Sequence, residues 1–340
     1  MKIAVDAMGG DFGPAVVVEG AVTAAREFGL ASVLVGDKSA VEREIVRLRA
    51  QDLPVTVRHA SQVVGMAEPP SHALRRKRDS SLRVAAELCK EGECQALVSA
   101  GNTGAAMAIG MYVMGLLPGV DRPAIAAALP SLSGYTILID AGANVDPKPR
   151  HLFQFAIMGH VYSRDIVGKD NPRVGLLSVG EEEGKGNELT KEAYEKLRHS
   201  SINFIGNVEG RDIYNGRSDV VVTDGFTGNM SLKLLEGGIR ELLDMLREEA
   251  SSTTRGKLGG WLIRPAARRT RARLDPDTYG GAYLLGLRGL AVIAHGNSGR
   301  RAIANAIRLA ARGAEHRVVE RLGEKLAAAA EPSQRALEGV

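Results

Sequence analysis

Short apolar runs rich in β-branched residues alternate with longer amphipathic segments along most of the chain. The first run, residues 3–5, is followed by PAVVVEGAVTAAREFG, in which apolar positions recur at helical spacing. Pro14 suits the first turn of that helix and Gly29 its C-terminal end. The alternation predicts an α/β sandwich with a mostly parallel sheet and helices on both faces. The predicted strands are residues 3–5, 32–35, 55–58, 96–99, 136–139, 174–177, 203–205 and 220–222.

Nearly every predicted strand is followed by a polar turn that contains glycine. These turns are DAMGGDFG, SAGNTG, DAGANVD, SVGEEEGKG, GNVEGRD, TDGFTGN and AHGNSG. Because open α/β sheets bind ligands outside the carboxyl ends of their strands, we expect the turns to converge on one crevice. Any single turn can be a tight connection without a ligand. Together they favour a phosphate-type or other anionic ligand, which backbone N–H groups and helix dipoles attract.

Composition and charge narrow the class of protein. The 340 residues are 44% hydrophobic and 25% charged, as in a globular protein with a large core, and the net charge is only +4. The longest apolar stretch, residues 282–294, is interrupted by Arg288 and glycines, and the first residues show no signal-peptide pattern. We therefore expect a cytoplasmic protein with no nucleic-acid partner, in which Cys89 and Cys94 are reduced thiols.

Several familiar motifs are absent. No turn has the G-x-G-x-x-G spacing, and GEEEGKG departs from a P-loop because Gly186 stands where Ser or Thr is needed, so classical NAD or ATP binding is not supported. Ser298 lacks a nucleophile elbow, and we favour an N-cap role for it over a covalent one. The histidines lack metal-ligand spacing, and we expect no metal and no cofactor. His295 ends the strand-like run GLAVIAH and is expected to point into the crevice.

An ordered set of segments carries a family resemblance. The segments are DAMGGDFGP, VSAGNTGA, DAGANVD, VGEEEGKGNE, FIGNVEGRDI, VVVTDGFTGNMSLKLLEG and GAYLLGLRGLAVIAHGNS, in order from residue 6 to residue 298. Each is weak alone, but as an ordered set they are specific. The chain resembles the bacterial phosphate acyltransferases, which convert acyl-acyl carrier protein and inorganic phosphate to acyl phosphate.

The resemblance implies a fold, partners and a place in metabolism. It implies a homodimer whose fold is a three-layer α/β/α sandwich like that of isocitrate and isopropylmalate dehydrogenases and of phosphotransacetylases. It also implies that the protein acts at the start of phospholipid synthesis. The acyl phosphate would pass to a membrane glycerol-3-phosphate acyltransferase. We expect a single catalytic domain of two intertwined halves over residues 1–313, followed by a C-terminal helix and frayed tail over residues 314–340.

Attack of phosphate on a thioester needs no covalent enzyme nucleophile, because phosphate is already anionic and thiolate leaves readily. Positioning and electrostatics should therefore carry the rate. We choose candidate residues by their places at the starts of helices and by the resemblance. Such residues can bind phosphate, hold the thioester carbonyl oxygen, offset the phosphate charge or adjust the protonation of phosphate. The candidate catalytic residues are Asn102, Thr103, Lys185, Asn229 and His295. The candidate substrate-binding residues are Asp6, Gly9, Gly10, Asp11, Gly101, Gly104, Asp140, Asn144, Glu181, Asp224, Gly225, Thr227, Gly228 and Ser298.

The acidic members of this set would repel a bound phosphate unless they are neutralised. The first possibility is that they orient backbone amides and basic groups or cap helices. The second is that one of them acts as a general base. The third is that they bind a divalent metal. We favour orientation, since no compact carboxylate spacing typical of a metal site is present.

Two basic segments suggest docking surfaces. EPPSHALRRKRDSSL places Arg75 and Lys77 in a loop that docks the acidic carrier, binds phosphate or is simply a solvated face. The second segment, RGKLGGWLIRPAARRTRAR, lies in a tip predicted to protrude over residues 240–275. Its Trp261, Leu262 and Ile263 are typical of an anchor at an anionic membrane surface, which would hold the protein at the inner face of the membrane, or of a tip packed against a dimer partner.

Two rival functions follow from the same residues. The nearer is a phosphotransacylase that uses acyl-coenzyme A, since the same crevice chemistry would serve it. The other is a peripheral-membrane scaffold that binds an acyl ligand without turning it over, although so many polar glycine turns exceed what a scaffold needs.

Overall fold

One sheet of eleven strands runs through the computed structural model, which describes residues 1–274 and 276–338. Its strand order is β3-β2-β1-β4-β11-β10-β5-β6-β9-β7-β8. The strands are β1 (Lys2–Asp6), β2 (Ala31–Gly36), β3 (Val55–His59), β4 (Ala96–Ser99), β5 (Ala124–Ser131), β6 (Gly134–Ile139), β7 (Val174–Leu177), β8 (Phe204–Val208), β9 (Val220–Val222), β10 (Ala282–Leu285) and β11 (Leu290–Ile293).

Two parallel half-sheets run in opposite directions within this sheet. Strands β3, β2, β1, β4 and β11 are parallel to one another, and so are β6, β9, β7 and β8. Three antiparallel pairs join the halves, through β10 and β5. The predicted mostly parallel mixed sheet is confirmed.

The register places the carboxyl ends of both halves at the same level. Val98, Val292, Tyr283, Ala126 and Ile139 follow one another in a single row across β4, β11, β10, β5 and β6. Strands β4 and β11 end one residue beyond this row, whereas β6 reaches it from the opposite direction and ends on it. The turns after the strands of both halves therefore face each other, and β5 continues through the row as their shared floor.

Helices cover the sheet as the alternating pattern predicts. α1 has Pro14 in its first turn and ends at Gly29, whose φ of 67° is the left-handed conformation that suits glycine. The helices are α1 (Gly13–Phe28), α2 (Lys38–Arg47), α3 (Pro70–Arg76), α4 (Ser81–Lys90), α5 (Thr103–Val113), α6 (Pro149–Tyr162), α7 (Glu188–Arg198), α8 (Gly225–Ser252), α9 (Thr254–Leu274), α10 (Arg300–Glu315) and α11 (Val318–Glu338).

The two faces of the sheet have separate cores. On one face α1, α6, α10 and α11 share a buried cluster, and on the other α4 and α5 pack over the first half-sheet. Val318, Leu322 and Leu326 of α11 are buried in the first cluster, so the start of this C-terminal helix belongs to the main core. Beneath it, burial lowers the pKa of His160 to about 4, and Lys325 adds to that effect. The tail predicted at the chain end includes residues 339 and 340, which lie outside the described residues.

Helices α8 and α9 form a hairpin that stands away from the body. Only Gly225 and Gly228 of α8 are buried, both in its first turn. The predicted tip at residues 240–275 falls on this hairpin, although residue 275 is outside the described range. Among the described helices, none is long and apolar enough to span a membrane. More than half the surface is exposed at Leu242, Met245, Leu246, Leu258, Trp261, Leu262 and Ile263.

Candidate active site

A cavity of about 340 Å³ opens where the carboxyl ends of the two half-sheets meet. One end is polar, with Thr103 from the start of α5, Asn229 from α8 and His295 from the turn after β11. The other end is mostly apolar and runs along β5 and α8. Its apolar lining includes Ile125, Ala127, Leu129, Pro130, Leu232, Leu235, Ile239, Leu274 and Ile293.

The turn after β4 is built around Asn102. Its side-chain oxygen caps α5 by accepting a hydrogen bond from the Ala105 amide at 2.9 Å. Its side-chain nitrogen donates to the carbonyls of Gly65, Met66 and Glu68 at 3.3, 2.8 and 2.9 Å. Asn102 is therefore a positioning residue that ties the preceding loop to the cavity, and Thr103 is its neighbour that lines the cavity.

Glu68 organises the same loop. It accepts from the Lys77 ammonium at 2.6 Å, the Gly65 amide at 2.9 Å and His72 at 2.7 Å. These bonds, the one from Lys77 foremost, lower the pKa of Glu68 to about 2. The ammonium of Lys77, one of the two residues predicted to dock the carrier, lies against Glu68 and the Val63 carbonyl. Arg75 remains exposed.

The opening turn after β1 lies against the turn after β4. Buried Asp6 accepts from the Ser99 hydroxyl at 2.8 Å, and burial raises the pKa of its carboxyl. A Cβ at Gly9 would lie 2.7 Å from Asp6 and 2.8 Å from the backbone of Gly101, so only glycine fits there. The Asp11 amide donates to the Gly296 carbonyl at 2.8 Å. These contacts join the turns after β1, β4 and β11.

Asp140 shapes the turn after β6. Its carboxylate accepts from the backbone amides of Ile125, Gly142, Ala143 and Asn144 at 2.9, 3.2, 3.0 and 2.7 Å. The Asn144 side chain donates to it as well, at 2.8 Å. Burial raises the pKa of Asp140 and these donors oppose the rise. Both oxygens are occupied by protein donors, which is the arrangement expected of an acid that orients backbone amides.

The start of α8 is seated on that turn. Asp224 caps the helix by accepting from the amide and the hydroxyl of Thr227, both at 2.7 Å. A Cβ on Gly225 would lie 2.6 Å from the Asn144 carbonyl oxygen, and one on Gly228 only 1.9 Å from that of Asp140. The Thr227 hydroxyl is thus committed to the cap, whereas Asn229 lines the cavity.

Two charged residues of the cavity were not predicted. Lys233 and Glu236 line it together with Asn229, and the Glu236 carboxylate lies 3.5 Å from Nε2 of His295. The signal was present, because residues 229, 233 and 236 recur at helical spacing on one face of α8.

Other predicted residues lie away from the cavity. Glu181 pairs with Arg217 at 2.6 Å and Arg211 at 2.9 Å, and these partners lower its pKa, Arg217 more strongly. Lys185 lies in the same loop after β7 and is not among the described cavity-lining residues. The N-cap role of Ser298 is wrong, since Gly299 occupies that position and the Ser298 amide donates to the His295 carbonyl instead.

The predicted substrate-binding glycines divide in the same way. Gly101 lines the cavity, whereas Gly104 approaches the ring of Pro70 and Gly10, at a φ of 90°, lies against the Gly296 carbonyl. Within the described residues, no group of three or more His, Cys, Asp or Glu side chains is placed to hold a metal ion.

Comparison with known proteins settles the family. A family model described as "Fatty acid synthesis protein" matches residues 1–321. The chain belongs to this family. It is 53% identical over 326 residues to the phosphate acyltransferase of Geobacter sulfurreducens, covering 96% of this chain and 94% of that protein. The phosphate acyltransferase of Nitratidesulfovibrio vulgaris is 51% identical over 327 residues, with 96% and 95% covered. The family resemblance is confirmed, and this member is an acyltransferase.

Solved structures share the architecture. A phosphotransacetylase from Streptococcus pyogenes superposes with a TM-score of 0.64 at 18% identity, covering 93% of this chain and 94% of that one. A 4-hydroxythreonine-4-phosphate dehydrogenase from Klebsiella pneumoniae gives 0.52 at 15% identity, with 92% and 99% covered. At such identities the likeness shows the fold, and it confirms the predicted dehydrogenase-like three-layer class.

The positioning role of Asn102 can be separated from its capping role. In Asn102→Ser the hydroxyl still caps α5, but the donors to the loop carbonyls are lost. We expect faster hydrogen exchange at residues 63–68 and a kcat/KM lower by about tenfold, because Met66 and Thr103 lose their fixed spacing.

The matched control is Asn102→Ala, which removes the cap as well and should lower the melting temperature further. Unchanged exchange in the loop of Asn102→Ser, with activity lost all the same, would show that Asn102 does not act through the loop.

Proposed function

We propose that this acyltransferase moves a fatty acyl group from acyl carrier protein to inorganic phosphate, releasing acyl phosphate and free carrier. The observation that carries the proposal is the two-part cavity, in which a polar end at helix starts continues into an apolar groove. The relatives named phosphate acyltransferase support phosphate as the acceptor.

The apolar part suits a hydrocarbon chain. Ile125, Ala127 and Leu129 alternate along one face of β5, and Leu232 and Ile239 of α8 oppose them. Such a lining offers a flexible chain apolar contact without hydrogen-bonding demands. The acyl chain would lie between β5 and α8, with its thioester at the polar end.

The polar part suits an anion beside a carbonyl. Thr103 stands at the first turn of α5, where free backbone amides and the helix dipole favour negative charge. Lys233 adds a cation, and Glu236 orients His295 toward the cavity. Asn229 supplies a neutral donor next to the turn formed by Asp140.

The reaction follows from this arrangement. A phosphate oxygen attacks the thioester carbonyl carbon, the carbonyl oxygen gains negative charge, and Asn229 or the helix amides stabilise it. The carbon–sulfur bond then breaks, the thiolate leaves with the proton of the attacking hydrogen phosphate, and acyl phosphate remains. Lys233 offsets the phosphate charge, and His295 donates to a phosphate oxygen.

The first test is release of carrier thiol from palmitoyl-acyl carrier protein, with acyl phosphate trapped by hydroxylamine. We expect hydroxamate formation that depends on phosphate, and a kcat/KM about 100-fold lower in Asn229→Ala, because the developing oxyanion loses a donor. Asn171→Ala, at an exposed position outside the cavity, is the matched control.

Each other outcome assigns a different function. Thiol release that ignores phosphate indicates a thioesterase. Turnover of acyl-coenzyme A but not of the carrier thioester indicates a phosphotransacylase. No release from either thioester leaves the acyl-binding scaffold.

The carrier would dock beside the loop that Asn102 holds. Arg75, Arg76 and Arg78 are exposed around α3, directly after the loop residues bonded to Asn102. Acyl carrier proteins are acidic, so this cluster offers complementary charge next to the loop whose Met66 lines the cavity.

Charge reversal tests the docking surface. Arg75→Glu combined with Arg76→Glu should raise KM for the carrier substrate about tenfold and leave kcat unchanged, because only encounter with the acidic carrier is weakened. Arg43→Glu on α2 is the matched control. An equal KM increase with a small thioester such as palmitoyl-pantetheine would show that the cluster does not recognise the carrier.

The α8–α9 hairpin would attach the protein to a membrane. Trp261, Leu262 and Ile263 are each more than 60% exposed, and the segment from residue 255 to residue 273 carries many arginines and no acid. Apolar insertion and attraction to anionic lipid add together at such a site. Peripheral attachment at the inner face would let acyl phosphate pass to a membrane glycerol-3-phosphate acyltransferase.

A second copy of the chain would cover the base of the hairpin. Phe226, Met230 and Leu234 recur every four residues along α8 and are 60%, 54% and 77% exposed. This stripe adjoins the cavity-lining positions of the same helix and suits a homodimer contact.

Membrane attachment is tested by flotation with vesicles that contain phosphatidylglycerol. Trp261→Ser with Leu262→Ser should reduce bound protein at least tenfold without lowering activity on carrier substrate in solution, because the tip lies outside the cavity. The control is Tyr112→Ser, which removes an exposed aromatic of α5. Retained binding of the hairpin variant would refute the anchor.

A further inference from the structure

A second cavity, of about 210 Å³, lies on the opposite face of β5 from the first. Ala128, Tyr279 and Gly281 border both cavities, so the two stand back to back across one strand. We call it the rear cavity. Its remaining lining is Tyr135, Tyr162, Ile166, Val167, Thr278, Asn305, Arg308, Leu309 and Arg312.

In the described part of the chain, the charged side chains that line the rear cavity are all positive. Arg308 and Arg312 stand one turn apart on α10, and none of the described residues that line the cavity is acidic. Arg308 lies 4.7 Å above the ring of Phe28, and Arg312 donates to the Ile166 carbonyl at 3.2 Å. Neither contact neutralises a charge, and no described carboxylate forms an ion pair with either arginine.

The hydroxyl of a tyrosine that lines the cavity adds a second, independent feature. Tyr162 is only 3% exposed, and within the described residues its hydroxyl has no hydrogen-bond partner. An unbonded hydroxyl that borders a cavity is available to donate to a ligand there. Burial raises the pKa of Tyr162, and the nearby Arg312 opposes that rise only in part. The hydroxyl is therefore a protonated donor in the same cavity as the two guanidinium groups, with that of Arg312 nearby.

These donors match a tetrahedral anion. Two guanidinium groups offer more N–H donors than one carboxylate can accept, whereas phosphate presents three oxygens. The cavity is smaller than the roughly 300 Å³ at which sites for drug-sized ligands begin, which leaves room for phosphate with few additional atoms. We propose that the rear cavity binds a phosphate dianion, either inorganic phosphate or the phosphate group of a small monoester.

Anomalous scattering from tungstate, a tetrahedral dianion, locates the site directly. Crystals of the full chain grown with tungstate should show a peak within hydrogen-bond reach of Arg312 and the Tyr162 hydroxyl, separate from any peak near Thr103. In Arg308→Met with Arg312→Met the rear peak should vanish. No rear peak in the unaltered protein, or a rear peak that persists in the double variant, overturns the proposal.

Calorimetric titration with inorganic phosphate supplies a readout independent of crystals. Tyr162→Phe removes a hydroxyl that bonds to nothing in the protein, so the fold should be preserved while rear-site affinity falls about tenfold. Arg301→Met, an exposed position of α10, is the control and should leave affinity unchanged. An unchanged phosphate affinity in Tyr162→Phe overturns the rear site.

The crevice proposed for catalysis is tested separately by Lys233→Met, which should weaken only the other phosphate site because it removes the cation assigned to phosphate there. Phosphate binding confined to the crevice overturns the rear site alone, and absence of binding at both overturns both proposals. Competition by methyl phosphate identifies the source: tighter binding than inorganic phosphate indicates a monoester, and weaker binding indicates the free ion. Either order supports a phosphate site.

Discussion

The register of β5 between two opposed half-sheets is the constraint on which the rest of the structure depends. Ala126 of β5 aligns with Tyr283 on one side and Ile139 on the other, which brings strand ends of opposite direction to one level. A slip of two residues would separate the turn of Asn102 from that of Asp140, and a slip of one would turn the apolar side chains of β5 away from the cavity. Strand pairing, rather than any one side chain, therefore determines where the crevice lies.

Acidic residues maintain this arrangement from within. Asp140 gathers the amides of its own turn, Asp224 caps the helix seated on that turn, and Asp6 joins the turns after β1 and β4. Glu68 does the same for the loop over α5. Each of these four carboxylates accepts hydrogen bonds from protein groups, which offset the negative charge that would repel a phosphate. Glu236 differs from them, because its carboxylate lines the cavity and lies against His295.

The sequence predicts those parts of the fold that are determined by residues close together in the chain, such as the ends of helices. The extent of α1 follows from Pro14 and Gly29, and the caps at Asn102 and Asp224 follow from their places before helices. Strand β5 was missed because half of it is alanine and Ile125 is its only β-branched residue, so its strand conformation is determined by its two neighbours.

Several contacts of the site could not be predicted from the sequence. Lys77 pairs with Glu68, which lies nine residues away across a turn whose path no local pattern reveals. The three carbonyls bonded to Asn102 are more than thirty residues distant in sequence and equally invisible to local pattern. Lys233 and Glu236, in contrast, were accessible from helical spacing once Asn229 had been chosen.

The α8–α9 hairpin is held to the body at one end only, by the first turn of the long helix α8. Its 28 residues span about 42 Å, and only its first turn is buried, where Gly225 and Gly228 contact the turn of Asp140. A pivot of about ten degrees at that base would carry the far end through about 7 Å, while Asn229, one turn from the pivot, would move by about 1 Å. Farther along the helix, the same pivot would move Lys233 by about 2 Å and Glu236 by about 3 Å, so a swing of the outer end changes the width of the cavity between α8 and β5.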